Sequence, residues 1–164
     1  MEALVEKGMT KGIGVSNFNI QLIWDLLTYA KIKPAVNQVE LNPQNVQPEL
    51  VKFLKAKGIQ PVGYSPVARP GAGGDDWPDL RENEYLQGLG KKYGKTVVQV
   101  MLHWGISKGH VVIPKATSLE HQVENFNIFD FQLTDEEIAG VDKLNTSTRF
   151  CNKVPFAEGF DTFA

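Results

Sequence analysis

Four apolar runs of this chain stop at residues able to recognise a ligand: Ser16-Asn17, Gln38, Tyr64-Ser65 and Lys115. Asn17 and Gln38 carry amides, which donate and accept at once and so suit another amide as partner. Tyr64 has a flat ring on which a heteroaromatic group can stack. Lys115 lies just before Ser118, a good helix N-cap. An ammonium, a hydroxyl and the unpaired N–H groups of a helix start then meet as an anion site. Each residue also has a plainer reading. Ser16 and Asn17 could simply cap a helix, Gln38 could satisfy backbone groups between strands, Tyr64 could be core, and Lys115 could be a solvated charge. Taken jointly, amide partner, stacking ring and phosphate cradle describe a seat for a nicotinamide dinucleotide built without a glycine-rich Rossmann turn.

For these residues to share a rim, the elements between them must be parallel βα units. Gly12 to Val15 reads as a short buried strand. Ile20, Leu22, Ile23, Leu26, Leu27 and Ala30 then mark one apolar helix face, and Pro34 stops that helix. Ala35–Val39 is the second strand candidate. Pro48 opens a helix carrying Leu50, Val51, Phe53 and Leu54 inward, and Gly58 closes it. Ile59–Tyr64 is the third strand. Val15 to Val39 is 24 positions and Val39 to Tyr64 is 25, an even spacing that favours successive parallel units. The runs lack strict alternation, as expected of strands covered on both faces. Residues 68–78 are rich in Gly and Pro and read as a long loop of functional rather than idle kind. Leu80–Lys92 predicts a helix closed by Gly94, and Thr96 caps the next, with Val100, Met101 and Trp104 inward. Val111–Pro114 is the fourth strand, followed by a helix from Ser118 towards Phe126. Thr134-Asp135-Glu136-Glu137 spells a capping box for the last helix. Residues 1–164 read as one partial domain, with 145–164 a tail of little periodicity that must wrap against something.

With 164 residues, 42% hydrophobic and 22% charged, the chain has the composition of an ordinary globular protein. A net charge of -2 gives no reason to expect nucleic acid or an anionic membrane as partner. No apolar run approaches the roughly 20 residues needed to cross a bilayer. Cys151 is the only cysteine, which excludes an intrachain disulfide and favours a reducing, cytoplasmic setting. His103, His110 and His121 have no metal-ligand spacing, so no metal site is expected.

Gly12-Ile13-Gly14-Val15-Ser16-Asn17-Phe18, Asn37-Gln38-Val39-Glu40, Tyr64-Ser65-Pro66 and Ile113-Pro114-Lys115, in this order, resemble the aldo-keto reductases. The likeness continues through Glu124-Asn125 and Phe129-Asp130-Phe131. It implies an α/β fold, the C-terminal half of a TIM (β/α)8 barrel with strands five to eight and their helices. It also implies NADPH as cofactor and a small aldehyde or ketone as substrate of the full-length parent. Ser16, Asn17 and Gln38 would hold the nicotinamide carboxamide, and Tyr64 would stack on its ring. Ser65, Pro66, Val67 and Ala68 would begin the loop over the pyrophosphate. Lys115 and Ser118 would take the 2′-phosphate, while Glu124 and Asn125 would face the adenine.

Two departures qualify the likeness. His121 stands where the family usually has an Arg gripping the 2′-phosphate and adenine, so the preference for NADPH over NADH should be weaker. The family's catalytic Asp, Tyr, Lys and His lie on its first four strands and match no residue here. The isolated chain should therefore bind cofactor without turnover. A non-catalytic nucleotide-binding or regulatory module on the same scaffold is the rival reading, and a redox-silent assembly fragment a third. Cys151 falls near the substrate-side tail of the family, where a thiol can be oxidised, or is incidental. Cutting a closed barrel exposes strand edges and apolar faces, so the isolated half should self-associate.

Overall fold

The computed structural model describes residues 1–68 and 78–151. Most of the Gly/Pro-rich loop and the aromatic end of the tail lie outside the described residues. The chain divides into two compact units, the first holding Met1–Val39 and Gln47–Val62, the second Glu40–Val46 and Gly63–Phe150.

The first unit opens with α1 (Glu2–Glu6). Gly8 follows in the left-handed region at φ +67, where glycine alone pays no Cβ penalty, and Met9 N–H returns to the Leu4 carbonyl at 2.9 Å. β1 is only Val15–Ser16, followed by α2 (Ile20–Tyr29), β2 (Val36–Glu40), α3 (Pro48–Ala56) and β3 (Gln60–Tyr64). β1 and β2 are parallel, with Val15 opposite Asn37 and Ser16 opposite Gln38. The expected strand from Gly12 is shorter and later than the apolar run suggested. Gly14 explains part of this: a Cβ there would meet the Val36 carbonyl oxygen at 2.9 Å and would clash with its Cγ2. That stretch is a place of close backbone approach, where Ala35 N–H already bonds the Ile13 carbonyl at 2.8 Å, and the register pairs follow from Val15. β3 joins at its start, where Gln60 N–H donates to the Ala35 carbonyl at 2.9 Å. Ile23 and Leu54, both fully buried, and Ile59 form the apolar interior. On the surface Trp24 and Phe53 pack with ring centroids 6.1 Å apart, and the Lys57 ammonium sits 4.5 Å above the Trp24 ring.

The second unit carries the ends of β2 and β3, where Leu41 N–H reaches the Tyr64 carbonyl, and β4 (Val111–Val112), where Ile113 N–H donates to the Gly63 carbonyl at 3.2 Å. The four strands form one sheet in chain order. The expected helix over 80–92 is in two pieces: a 3-10 turn at Leu80–Glu82 and α4 (Glu84–Tyr93). Asn83 makes the break, since its side chain accepts from Leu86 N–H and starts α4 afresh. α5 (Val97–Ser107) begins at Thr96, which forms a capping box with Gln99, and is buried continuously from Gln99 to Gly105. His103 is tolerated in that interior because both ring nitrogens are used: Nδ1 bonds the Ile128 carbonyl at 2.8 Å and Nε2 accepts from Leu133 N–H. α6 (Leu119–Phe126) and α7 (Asp135–Asp142) complete the order. The Thr134–Glu137 capping box at α7 forms as spelled. Leu86, Val100, Met101, Trp104, Leu133 and Val141 make the core. No helix among the described residues is long and apolar enough to cross a membrane.

Candidate functional site

In the first unit the turn after β1 is held from three directions. Asn17 N–H donates to the Gln38 carbonyl at 2.9 Å, and Ser16 Oγ donates to the same oxygen at 2.9 Å. Asn17 Nδ2 lies 3.2 Å from Ser16 Oγ. Ser16, Asn17 and Gln38 are thus gathered at one end of the β1–β2 pair. Neither Ser16 nor Asn17 is the helix cap: Asn19 takes that role, its side chain accepting from Leu22 N–H at 2.9 Å. Asn17 sits at φ +58, a left-handed conformation that Asn tolerates better than most residues.

A residue that stands in a quoted motif but receives no role from the sequence supports this geometry. Asn37 is fully buried, and its amide clasps the Phe18 backbone, donating to the carbonyl at 2.8 Å and accepting from the N–H at 3.4 Å. An amide on the inward side of a strand was the available signal. Its partner, a backbone 19 positions away, has no signature in the sequence.

In the second unit Val67, Lys115, His121, Glu124 and Asn125 line a cleft of about 460 Å³, together with Pro114, Thr96, Val97, Val98 and Arg81. Ser65, Pro66, Ala68 and Ser118 are not among its walls. Ser65 and Ala68 close a tight turn after β3, with Ala68 N–H on the Ser65 carbonyl at 3.0 Å and both residues at positive φ. Ser118 caps α6 by accepting from His121 N–H at 3.2 Å, which leaves its hydroxyl proton available to another acceptor. Glu124 is fixed by Thr96, whose hydroxyl donates to its carboxylate at 2.7 Å. The cleft therefore has apolar walls, an ammonium, a guanidinium, an imidazole, an amide and a carboxylate that Thr96 engages, a set with groups for both a flat base and an anion.

Tyr64 is half-buried and accepts from Arg149 Nη2 at 3.3 Å. The next residue of the tail is anchored too: Phe150 N–H donates to the buried Glu40 carboxylate at 2.9 Å. Thr146 and Thr148 N–H groups both reach the Gln44 carbonyl, and Asn145 Oδ1 accepts from Val46 N–H. The start of the tail is thus a strap over the carboxyl end of β2. Neither Glu40 nor Arg149 receives a role from the sequence: Glu40, though inside a family motif, lies past the expected end of the second strand, and Arg149 lies in irregular tail.

Residues 1–146 match the family model described as the aldo/keto reductase family. The chain belongs to the aldo/keto reductase family. It is 46% identical to aldose reductase B of Dictyostelium discoideum over 158 residues, 96% of this chain and 49% of that protein. It is 40% identical to aldo-keto reductase family 1 member A1 of Xenopus tropicalis, over 92% of this chain and 46% of the relative. Among solved structures, the aldo-keto reductase of Bombyx mori in complex with NADP superposes with a TM-score of 0.85 at 38% identity, covering 91% of this chain and 49% of that one. The chain thus spans about half the length of the relatives it matches. Its successive βα units are those of the aldo-keto reductase (β/α)8 barrel, in a part-length version.

Proposed function

We propose that this chain is the cofactor-binding half of an NADPH-dependent aldo-keto reductase, whose full-length form reduces small aldehydes or ketones to alcohols. When bound, the nicotinamide supplies a hydride from its C4 position. The chain's own residues hold that group in place. In the first unit Ser16, Asn17 and Gln38 take the carboxamide, whose donor and acceptor need the mixed polarity of amide side chains. In the second, Tyr64 offers its ring face, Lys115 and Ser118 take the 2′-phosphate, and Asn125 meets the adenine edge. Ser65, Pro66, Val67 and Ala68 begin the covering loop. Residues equivalent to the family's proton-donating machinery are not found among these 164, so the isolated chain binds without turnover. In that form it self-associates, and its setting is cytoplasmic.

The observation that carries the reading is the gathering of Ser16, Asn17 and Gln38 around one backbone carbonyl. A helix cap has no use for that arrangement, because Asn19 already caps α2. The test is titration of the chain with NADPH, followed by tryptophan quenching and by an assay on a generic aldehyde. Saturable binding with no aldehyde-dependent oxidation is the expected result. Absence of binding, or turnover by the chain alone, refutes the proposal.

A further inference from the structure

We propose that Arg149 is a positioning residue for the nicotinamide ring. It sets the direction of the Tyr64 ring from a strap that the buried Glu40 carboxylate holds down, an inference that rests on the cofactor reading above. All of these groups belong to the second unit. Glu40 is fully buried at the end of β2, and its Oε1 accepts from Phe150 N–H at 2.9 Å and from Asn42 Nδ2 at 3.4 Å. The strap that ends there is pinned along its length. Val46 N–H donates to Asn145 Oδ1 at 3.1 Å, and the Thr146 and Thr148 N–H groups donate to the Gln44 carbonyl at 3.2 and 3.1 Å. Within the strap, Ser147 N–H donates to Asn145 Oδ1 at 3.2 Å. Phe150 also packs against the core that includes Val46, Ala68 and Leu80.

Arg149 is the residue before that anchor, and its Nη2 donates to Tyr64 Oη at 3.3 Å. The hydroxyl lies on the long axis of the phenol, so a bond there selects one χ1 well and fixes where the ring stands. A stacking partner must offer its face in one place. Any share of the molecules with the ring turned elsewhere weakens the apparent affinity in proportion. The strap supplies that constancy. Burying a carboxylate is costly unless it is hydrogen-bonded, and a charged acceptor makes a stronger bond than a neutral carbonyl. The firmest grip on the strap thus lies one residue from the guanidinium that meets Tyr64. Arg149 is not among the walls of the cleft that Lys115 lines, so its effect falls on the stacking end of the ligand and not on the phosphate end.

The test is a double-mutant cycle on the full chain. Arg149→Met removes the donor, Tyr64→Phe keeps the ring and removes its acceptor, and a third variant combines the two. Affinities are measured for NADPH and for adenosine 2′,5′-bisphosphate, which lacks the nicotinamide, with circular dichroism to verify folding. Positioning through the Tyr64 hydroxyl predicts that each single change weakens NADPH by about three- to tenfold and that the pair weakens it no more than either alone. Adenosine 2′,5′-bisphosphate should stay within about twofold of the parent throughout. A purely structural role for Arg149 would instead lower both affinities together and add to the Tyr64→Phe loss. Parent-like NADPH affinity in Arg149→Met, additive losses, or an equal loss for the bisphosphate overturns this inference alone. Tyr64→Phe removes one oxygen and no ring packing, so parent-like NADPH affinity in it overturns the inference even where Arg149→Met loses structure. A parent chain that does not bind NADPH overturns the cofactor reading and this one with it.

Discussion

Asn17 combines two demands that substitution can separate. Its backbone is left-handed, and its amide belongs to the proposed carboxamide seat. Asn17→Gly keeps the conformation and removes the amide, so it should leave thermal stability nearly unchanged while weakening NADPH binding by about five- to thirtyfold, the worth of one or two hydrogen bonds. Gln38→Ala should weaken binding by a similar factor, since Gln38 is the register partner of Ser16 on the neighbouring strand. Both effects are read from fluorescence titrations. At the other end, the ratio of NADH to NADPH dissociation constants should fall below about a thousandfold for a full-length parent. His121→Arg should raise it by about 10–150-fold, because a charge-assisted contact to phosphate is worth about 1.5–3 kcal/mol.

At the scale of elements, two junctions are exposed to test. Gly14→Ala would drive a Cβ into the Val36 carbonyl, a backbone atom that cannot rotate away, and should cost about 1–3 kcal/mol in urea unfolding. Glu137 closes the α7 capping box and also receives Lys92 Nζ at 2.7 Å and Tyr93 Oη at 2.6 Å. Burial pushes this carboxyl's pKa up, but the hydrogen bonds from Lys92, Tyr93 and Thr134 N–H outweigh it and hold the pKa below its ordinary 4.5. A carboxyl with a lowered pKa stabilises the folded chain above the unfolded pKa and loses that contribution as pH falls through the folded value. Glu137→Gln should therefore cost about 1–2 kcal/mol at neutral pH, and the gap to the parent should close as the pH drops below the carboxylate range. These junctions also mark what could be read from the chain beforehand. Thr96, Ser118 and Thr134 announced their helices because a cap is spelled within four residues. The 24- and 25-residue spacing announced the βα repeat for the same reason: it is written along the chain. The true start of β1, the break at Asn83 and the Asn37 clasp on Phe18 depend on partners distant in sequence or on one side chain outcompeting helix propensity.

For the whole molecule, partial length is the governing fact. β1 and β4 are the two ends of the sheet order, and α6 with the segment after it presents Leu119, Val123, Phe126 and Phe129 at 61–75% exposure. A soluble domain seldom leaves that much apolar surface together. Sedimentation at tens of micromolar should find dimers or larger species, and Val123→Lys with Phe126→Glu should shift them towards monomer. A monodisperse monomer for the parent chain would contradict the expectation. The placement of the indoles has a practical corollary. Trp24 is an exposed ring in the first unit under the Lys57 ammonium, whereas Trp104 is 1% exposed in the core of the second, its N–H held by Asp142. With Trp77 changed to Phe, the red-shifted emission reports on one unit and the blue-shifted emission on the other. A denaturant series would then show whether the two melt as one body or in sequence, and which of them a nucleotide protects.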